Sequence, residues 1–146
     1  MSMKSVRIAI LAILVMTTLP GCSKGPVDPD LSVTSFNYAA FAKDGSQLLA
    51  GIVLLSAADA DSVMGQWNID WVEGADHNYE VGTQIGHGDL RGTLVGNRLE
   101  IDLNPDWADS NVLLRGTWEG KRINGTWIYI GIAGPLSDGR FTLRPR

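Results

Sequence analysis

One polar segment, residues 74–89, carries side chains of the types that could bind a metal ion. It holds both histidines, His77 and His87, with the carboxylates of Asp76 and Asp89 beside them. The histidines are ten positions apart, which is not a recognised zinc spacing, and no cysteine is available to complete a site. We therefore interpret the segment as a lid or a solvated loop, and we predict no metal site.

A second segment, residues 104–111, is rich in oxygen ligands. Its acidic spacing differs from the Asp-x-Asp-x-Asp-Gly calcium loop, and Asp, Asn and Pro also form ordinary turns, so we interpret it as a turn. The sequence contains no Gly-x-Ser-x-Gly elbow, no Cys–His pair and no phosphate loop. Its carboxylates occur singly on predicted outer faces and turns. We therefore predict a protein that is not an enzyme and has no cofactor.

The single cysteine, Cys22, follows a segment organised like an export signal. Two basic residues precede the apolar run 8–16, which is too short to span a bilayer because about 20 residues are needed. The motif Leu19-Pro20-Gly21-Cys22 resembles the bacterial lipobox. This resemblance implies cleavage before Cys22 and lipidation of its thiol. The alternatives are an ordinary signal peptide that happens to carry a cysteine and an uncleaved membrane helix.

The lipobox resemblance divides the chain into a signal peptide (1–21), a lipidated tether (22–30) and a folded domain (31–146). It implies a bacterial envelope protein held in the membrane by its acyl chains, and Ser23 after the cysteine implies the outer membrane. The mature chain has 125 residues and a net charge of −6. Such a charge disfavours a nucleic-acid partner, because binding phosphates requires a basic surface.

The folded domain shows alternating apolar and polar residues in short runs, separated by Gly, Asn, Asp and Pro. No stretch keeps a helical period for three turns. Because the connections are too short for helical crossovers, neighbouring strands should pair antiparallel. The pattern predicts eight strands, near residues 31–42, 47–56, 62–73, 87–95, 98–104, 111–119, 122–131 and 139–144.

Two hairpins are specific enough to predict their register. Residues 91–99 recur 24 positions later as 115–123 with five of nine positions identical, and each copy has a Gly-x pair typical of a two-residue primed turn. The register that follows places these pairs on one inner face: Leu94–Leu99, Gly92–Ile101, Leu90–Leu103, Trp118–Ile123, Gly116–Gly125, Leu114–Trp127 and Val112–Tyr129.

Four glycines fall on predicted inward strand faces, namely Gly65, Gly92, Gly116 and Gly125. Interior glycine in a strand marks a sharp bend or a close approach of backbone. Eight antiparallel strands with such bends favour an all-β, up-and-down barrel, since closure removes the sheet edges. The meander, the size and the repeated Gly-x-Trp resemble the calycin group of lipocalins and avidins. The resemblance implies the fold and does not identify a ligand.

The predicted barrel interior is aromatic and uncharged. An eight-stranded barrel encloses enough space for packed side chains or for one small ligand. Two alternatives therefore stay open: a core in which the indoles fill the gaps left by the glycines, or a cavity for a small apolar molecule. The candidate ligand-binding side chains are Trp67, Trp71, Trp118, Trp127 and Tyr129.

The second strand is apolar on both faces, and we expect an outward row of Leu49, Val53 and Leu55 that needs cover. Charge is also uneven, with a net −8 over residues 22–89 and +2 over residues 90–146. These features favour two functions. The first is a lipid-anchored envelope protein that binds a small apolar ligand inside the barrel. The alternative is an interaction or scaffolding lipoprotein that contacts another envelope protein through its outer surface.

Overall fold

The alternation of apolar and polar residues forms eight strands in the computed structural model, which describes residues 32–107 and 109–146. The predicted signal peptide and the lipidated tether with Cys22 lie outside the described residues. The strands are β1 (Thr34–Phe41), β2 (Gln47–Ala57), β3 (Ser62–Trp71), β4 (Gly86–Val95), β5 (Arg98–Asp102), β6 (Ser110–Glu119), β7 (Arg122–Gly131) and β8 (Gly134–Pro145).

The strands close into one antiparallel barrel in chain order, with β8 paired to β1. The predicted all-β, eight-stranded up-and-down barrel is confirmed. Because every strand has both neighbours within residues 32–146, this part of the chain contains its complete core, and we expect it to fold by itself. No helix that could cross a membrane occurs in the described part of the chain.

The two ends of the barrel differ. One end, the turn end, carries the short connections 58–61, 96–97 and 120–121, together with the start of β1. The opposite end, the loop end, carries the connections 42–46, 72–85, 103–109 and 132–133. The longest connection, 72–85, therefore lies across the loop end.

Both predicted hairpin registers are confirmed. The ladder pairs Leu94 with Leu99, and it pairs Trp118 with Ile123 and the other predicted partners along β6 and β7. Each turn begins with a glycine at positive φ, 61° at Gly96 and 62° at Gly120, as a primed turn requires. One predicted pair, Leu90–Leu103, is not part of the ladder because β5 ends at Asp102.

The predicted faces of β3 and β8 are also confirmed. On β3, Val63, Trp67 and Ile69 are buried, whereas Met64 and Gln66 between them are exposed. On β8, the predicted inward pair, Phe141 and Leu143, is buried. The core therefore fills the barrel interior.

The predicted outward row on the second strand is wrong. Leu49, Val53 and Leu55 are fully buried and face the interior, opposite Trp71, Trp67 and Gly65 of β3. The outer face of β2 instead carries Ala50, Ile52 and Leu54. Because this strand is apolar on both faces, hydrophobicity alone does not decide which face packs inward.

Candidate functional site

The five predicted ligand-binding side chains lie on inward positions of one hydrophobic core, at different depths along the barrel. Trp67 and Trp127 are buried near the middle of the barrel, with 4% and 0% of their surface exposed. Trp71 and Tyr129 are half-buried towards the loop end. Trp118 is near the turn end, where its ring meets Phe36 edge-on at 5.7 Å between centroids. A ligand at the loop end could reach the first four residues and not Trp118.

Three indole N–H groups are already bonded to backbone carbonyls. Trp67 Nε1 donates to Leu103 O at 2.8 Å, Trp127 Nε1 to Phe41 O at 3.2 Å, and Trp118 Nε1 to Gly120 O at 2.9 Å. These bonds fix the ring orientations, as is usual for tryptophan whose polar end is buried. The rings therefore offer apolar surfaces to a neighbour and no spare donor.

The inward glycines allow close approach of neighbouring strands. A Cβ at Gly65 would lie 1.8 Å from Leu54 O, and one at Gly92 would lie 2.1 Å from Glu100 O. At Gly125 the nearest atom is Arg115 O at 2.0 Å. At Gly116 side chains come close as well, with Ile123 Cγ2 at 2.9 Å. The space at these positions is filled by neighbouring strands, mainly by their backbone, and does not open into the interior.

The loop end of the interior is filled by connection 72–85. Val81 is buried, and Tyr79 packs edge-on against Trp127 at 6.0 Å between ring centroids. The Tyr79 hydroxyl donates to Asp138 O at 2.9 Å. A Cβ at Gly82 would lie 2.2 Å from the Tyr129 ring, so the loop backbone itself lies against that ring. The connection thus contributes side chains to the core without belonging to the sheet.

A polar pair lies beneath this connection. The Tyr38 hydroxyl donates to Gln84 Oε1 at 2.7 Å, and Gln84 Nε2 donates to Val81 O at 2.8 Å. Gln84 is the single fully buried side chain of a polar type among the described residues. Burial raises the pKa of the Tyr38 phenol far above its ordinary value of 10.0, so Tyr38 is a neutral donor. The strand pattern gave no reason to expect a buried glutamine from a loop.

Polar contacts hold the rim of the connection. Thr83 Oγ1 donates to Ser110 O at 3.2 Å, and Asn104 Nδ2 donates to Thr83 Oγ1 at 2.7 Å. On the other side, the His77 ring stacks on Trp71 with 4.7 Å between centroids. Connection 72–85 is therefore attached to three different parts of the loop end.

The candidate metal ligands of residues 74–89 are not brought together. His77 stacks on Trp71, whereas Asp76 Oδ1 accepts bonds from the backbone and side-chain amides of Asn78. His87 and Asp89 lie on β4 and point outward. In the described part of the chain, no three His, Cys, Asp or Glu side chains gather as metal ligands would.

The oxygen-rich segment after β5 forms a turn. Asp102 Oδ1 accepts the backbone N–H of Asn104 at 2.8 Å, and Asp102 Oδ2 accepts Asn111 Nδ2 at 2.7 Å. These contacts use the carboxylate to end one strand and support the next, as Asp does in ordinary turns. Trp107 in the same segment is 66% exposed, and no pattern in the sequence distinguishes it.

Comparison with known proteins adds a description of the fold. No protein-family model matches the chain, and no curated protein matches it. One similar solved structure is the crystal structure of a shwanavidin variant in complex with biotin. It is 15% identical, the match covers 75% of this chain and 94% of that chain, and the TM-score is 0.47. The assignment of the fold here rests on the strand order itself.

Proposed function

We propose that this protein is a lipid-anchored, non-catalytic binding protein of the bacterial envelope. Its ligand is a small apolar molecule that enters the loop end of the barrel. The lipobox resemblance at Cys22 supports the anchor. The dispersed carboxylates and histidines support a role without catalysis, since general acid–base chemistry needs such groups close together.

The observation that carries the ligand site is the way connection 72–85 closes the barrel. Tyr79 and Val81 occupy the aromatic end of the interior, yet they belong to a loop with no strand partner. Loops open at lower free energy than strands of a sheet. An apolar ligand could therefore replace these two side chains against Trp127 and Tyr129, and the closed loop would then be the unliganded state.

The charge distribution supports an orientation on the membrane. The loop-end connections carry six carboxylates and one lysine among the described residues. The turn end carries Arg98, Lys121, Arg122 and Arg146 beside the entry of the chain into β1, together with the carboxylates of Asp59, Asp61 and Glu119, so it is less acidic than the loop end. A tether that enters at the turn end would place this less acidic end next to anionic lipid headgroups. The acidic loop end would then face away from the membrane.

A neutral fluorescent probe tests the ligand site. We expect residues 32–146 to bind N-phenyl-1-naphthylamine with one site and a rise in probe fluorescence. Tyr79→Ala removes a competing ring and should tighten binding several-fold, whereas Asn78→Ala, an exposed neighbour, should leave it unchanged. If Tyr79→Ala and the unmodified domain bind the probe equally or not at all, the loop does not compete with an apolar ligand.

The anchor has its own test. Cys22→Ser should release the protein from membranes and abolish incorporation of labelled fatty acid. Membrane association that survives Cys22→Ser would point to an uncleaved signal helix.

A second function, contact with another envelope protein, is favoured by the outer face of the barrel. Ile52 and Leu54 line a surface groove of about 420 Å³ together with Gln66 and Asn68. Ile52→Glu should abolish crosslinking to such a partner without unfolding the barrel, with Ile132→Glu, at an exposed position outside the groove, as the matched control. Unchanged crosslinking in Ile52→Glu would rule out this face.

A further inference from the structure

The barrel wall is incomplete along one half of β4. This strand pairs with β3 from Gly86 to Thr93, but with β5 only from Arg91 to Val95. Backbone groups in an antiparallel ladder point alternately to the two neighbours. The pairing therefore directs the N–H and C=O groups of His87 and Asp89 away from β3. Among the described residues, no backbone group bonds to them on that side.

A cleft of about 380 Å³ lies beside this unpaired edge. It separates residues 86–89 from residues 103–107, and Trp67 and Leu103 form its floor. Ile85 and Trp107 stand at its mouth with 38% and 66% of their surfaces exposed. Because Gly88 has no side chain, the Trp67 ring packs against the β4 backbone, 3.0 Å from the place of a Gly88 Cβ, and both residues line the cleft.

The charges at the cleft are acidic. Asp89 and Asp106 both line it. The nearest cation, Arg91, stands 3.8 Å from Asp106, and both side chains are more than half exposed. Such an ion pair contributes little, so the Asp106 carboxylate can exchange this partner for another cation.

We propose that this cleft binds an extended, basic peptide segment of another protein as an additional strand on β4. The open backbone groups of His87 and Asp89 supply two donors and two acceptors, which is how peptides add to a sheet edge. An apolar side chain of the peptide would lie on Trp107, and basic ones would reach Asp89 and Asp106. The acidic charge of the cleft favours a basic peptide. Peptide binding at the cleft does not depend on a ligand inside the barrel.

A synthetic peptide provides the probe. We expect an acetylated peptide of alternating lysine and valine to bind residues 32–146 and to change Trp107 fluorescence, whereas the glutamate–valine peptide should not bind. The affinity should fall in roughly the micromolar to millimolar range because the interface is small. Asp106→Asn should weaken binding about two- to fivefold, as for exposed ion pairs. Asp59→Asn at the turn end is the matched charge control and should have no effect.

Trp107→Ala should weaken binding about tenfold or more, as expected for an aromatic anchor that the bound peptide would cover. Its binding is measured by calorimetry, because the substitution removes the exposed tryptophan at the cleft and leaves the four others as fluorophores. Equal binding of the lysine and glutamate peptides, or unchanged binding by Trp107→Ala, would overturn the proposal.

The backbone pairing is tested separately. His87→Pro removes the N–H that points into the cleft and leaves the bonds to β3, so it should abolish peptide binding while His87→Ala retains it. N-methylation of alternate peptide residues gives the same test without changing the protein: one methylation pattern should block binding and the other should not. If both methylated peptides bind like the parent, the peptide does not add as a strand. Dimerisation of the domain through the same residues would show that the occupant is a second copy.

Discussion

The close approach of strands at Gly65 makes a quantitative prediction about stability. A Cβ at this position would lie 1.8 Å from Leu54 O and 2.8 Å from the carbonyl carbon of the same residue. To reach even 3.0 Å, the carbonyl would have to move by about 1.2 Å. That carbonyl belongs to β2, whose backbone is held by ladders to both β1 and β3. The Gly65→Ala substitution must therefore displace two strand pairings.

The expected magnitude follows from two opposing effects. Overpacking a core typically lowers stability by 1–3 kcal/mol, and displaced backbone places this site at the upper end of that range. Replacing glycine in a strand contributes about 0.5–1 kcal/mol in the opposite direction, because glycine loses more entropy on folding. The net expectation is a loss of about 2 kcal/mol, which corresponds to a fall in Tm of about 8 °C for a domain of this size.

Urea denaturation measures this loss, and Gly131→Ala is the matched control. At Gly131 a Cβ would meet only the side chain of Leu136, at 2.8 Å, and that side chain is half exposed and free to move. We expect Gly131→Ala to change the free energy of unfolding by less than about 1 kcal/mol. Equal stability of the Gly65→Ala and Gly131→Ala variants would refute the argument that inward glycines admit neighbouring backbone.

Three further predictions concern the buried polar pair and the surface charges. Tyr38→Phe should lower the free energy of unfolding by about 1–3 kcal/mol, because it leaves Gln84 Oε1 buried without a donor; an unchanged urea midpoint would contradict the bond. Because burial raises the Tyr38 pKa above its unfolded value of 10.0, the unfolded chain releases this proton first. Stability from the neutral phenol is therefore fully present below pH 10 and should fall above it by about 1.4 kcal/mol per pH unit, and Tyr38→Phe should remove that slope. Arg115→Ala should cost less than about 1 kcal/mol, since the ion pair with Glu100 is half exposed; a larger loss in thermal unfolding would contradict this.

The hairpins were predictable because short-range chemistry determines them. Two-residue turns at Gly96 and Gly120 leave one register for each pair of strands, and the alternation of side chains then assigns both faces. The second strand lacks such a constraint, since its connection to β3 has four residues and both its faces are apolar. Gly51 could have shown which face of β2 packs inward. It lies in the inner row opposite Ile69, like the other inward glycines, and its parity places Leu49, Val53 and Leu55 inside.

The closure of the loop end could not be predicted from the sequence pattern. Tyr79, Val81 and Gln84 come from a segment whose composition is that of a solvated loop, and their burial depends on an aromatic surface assembled from distant strands. Tyr38, their hydrogen-bonded neighbour, does follow a strand pattern, because Phe36, Tyr38 and Ala40 alternate with less buried residues along β1. The inward position of Tyr38 on β1 was therefore predictable from the sequence, whereas the burial of Gln84 in the connection was not.

The cleft beside β4 has a local cause in the sequence. Asp102 Oδ1 accepts a hydrogen bond from the backbone N–H of Asn104 at 2.8 Å, and this bond turns the chain away from β4. Pro105 then has no N–H with which to continue a ladder. β5 consequently has five residues beside the ten of β4, and half of β4 is left without a partner on that side. A longer β5 would pair with this half of β4 and protect it, since unpaired strand edges invite association with other chains. Replacing Asp102 by a β-branched residue such as valine should therefore extend β5 towards Leu103 and narrow the cleft, so peptide binding should fall. The loss of the bond to Asn111 Nδ2 should lower the free energy of unfolding by about 1–3 kcal/mol in the same variant.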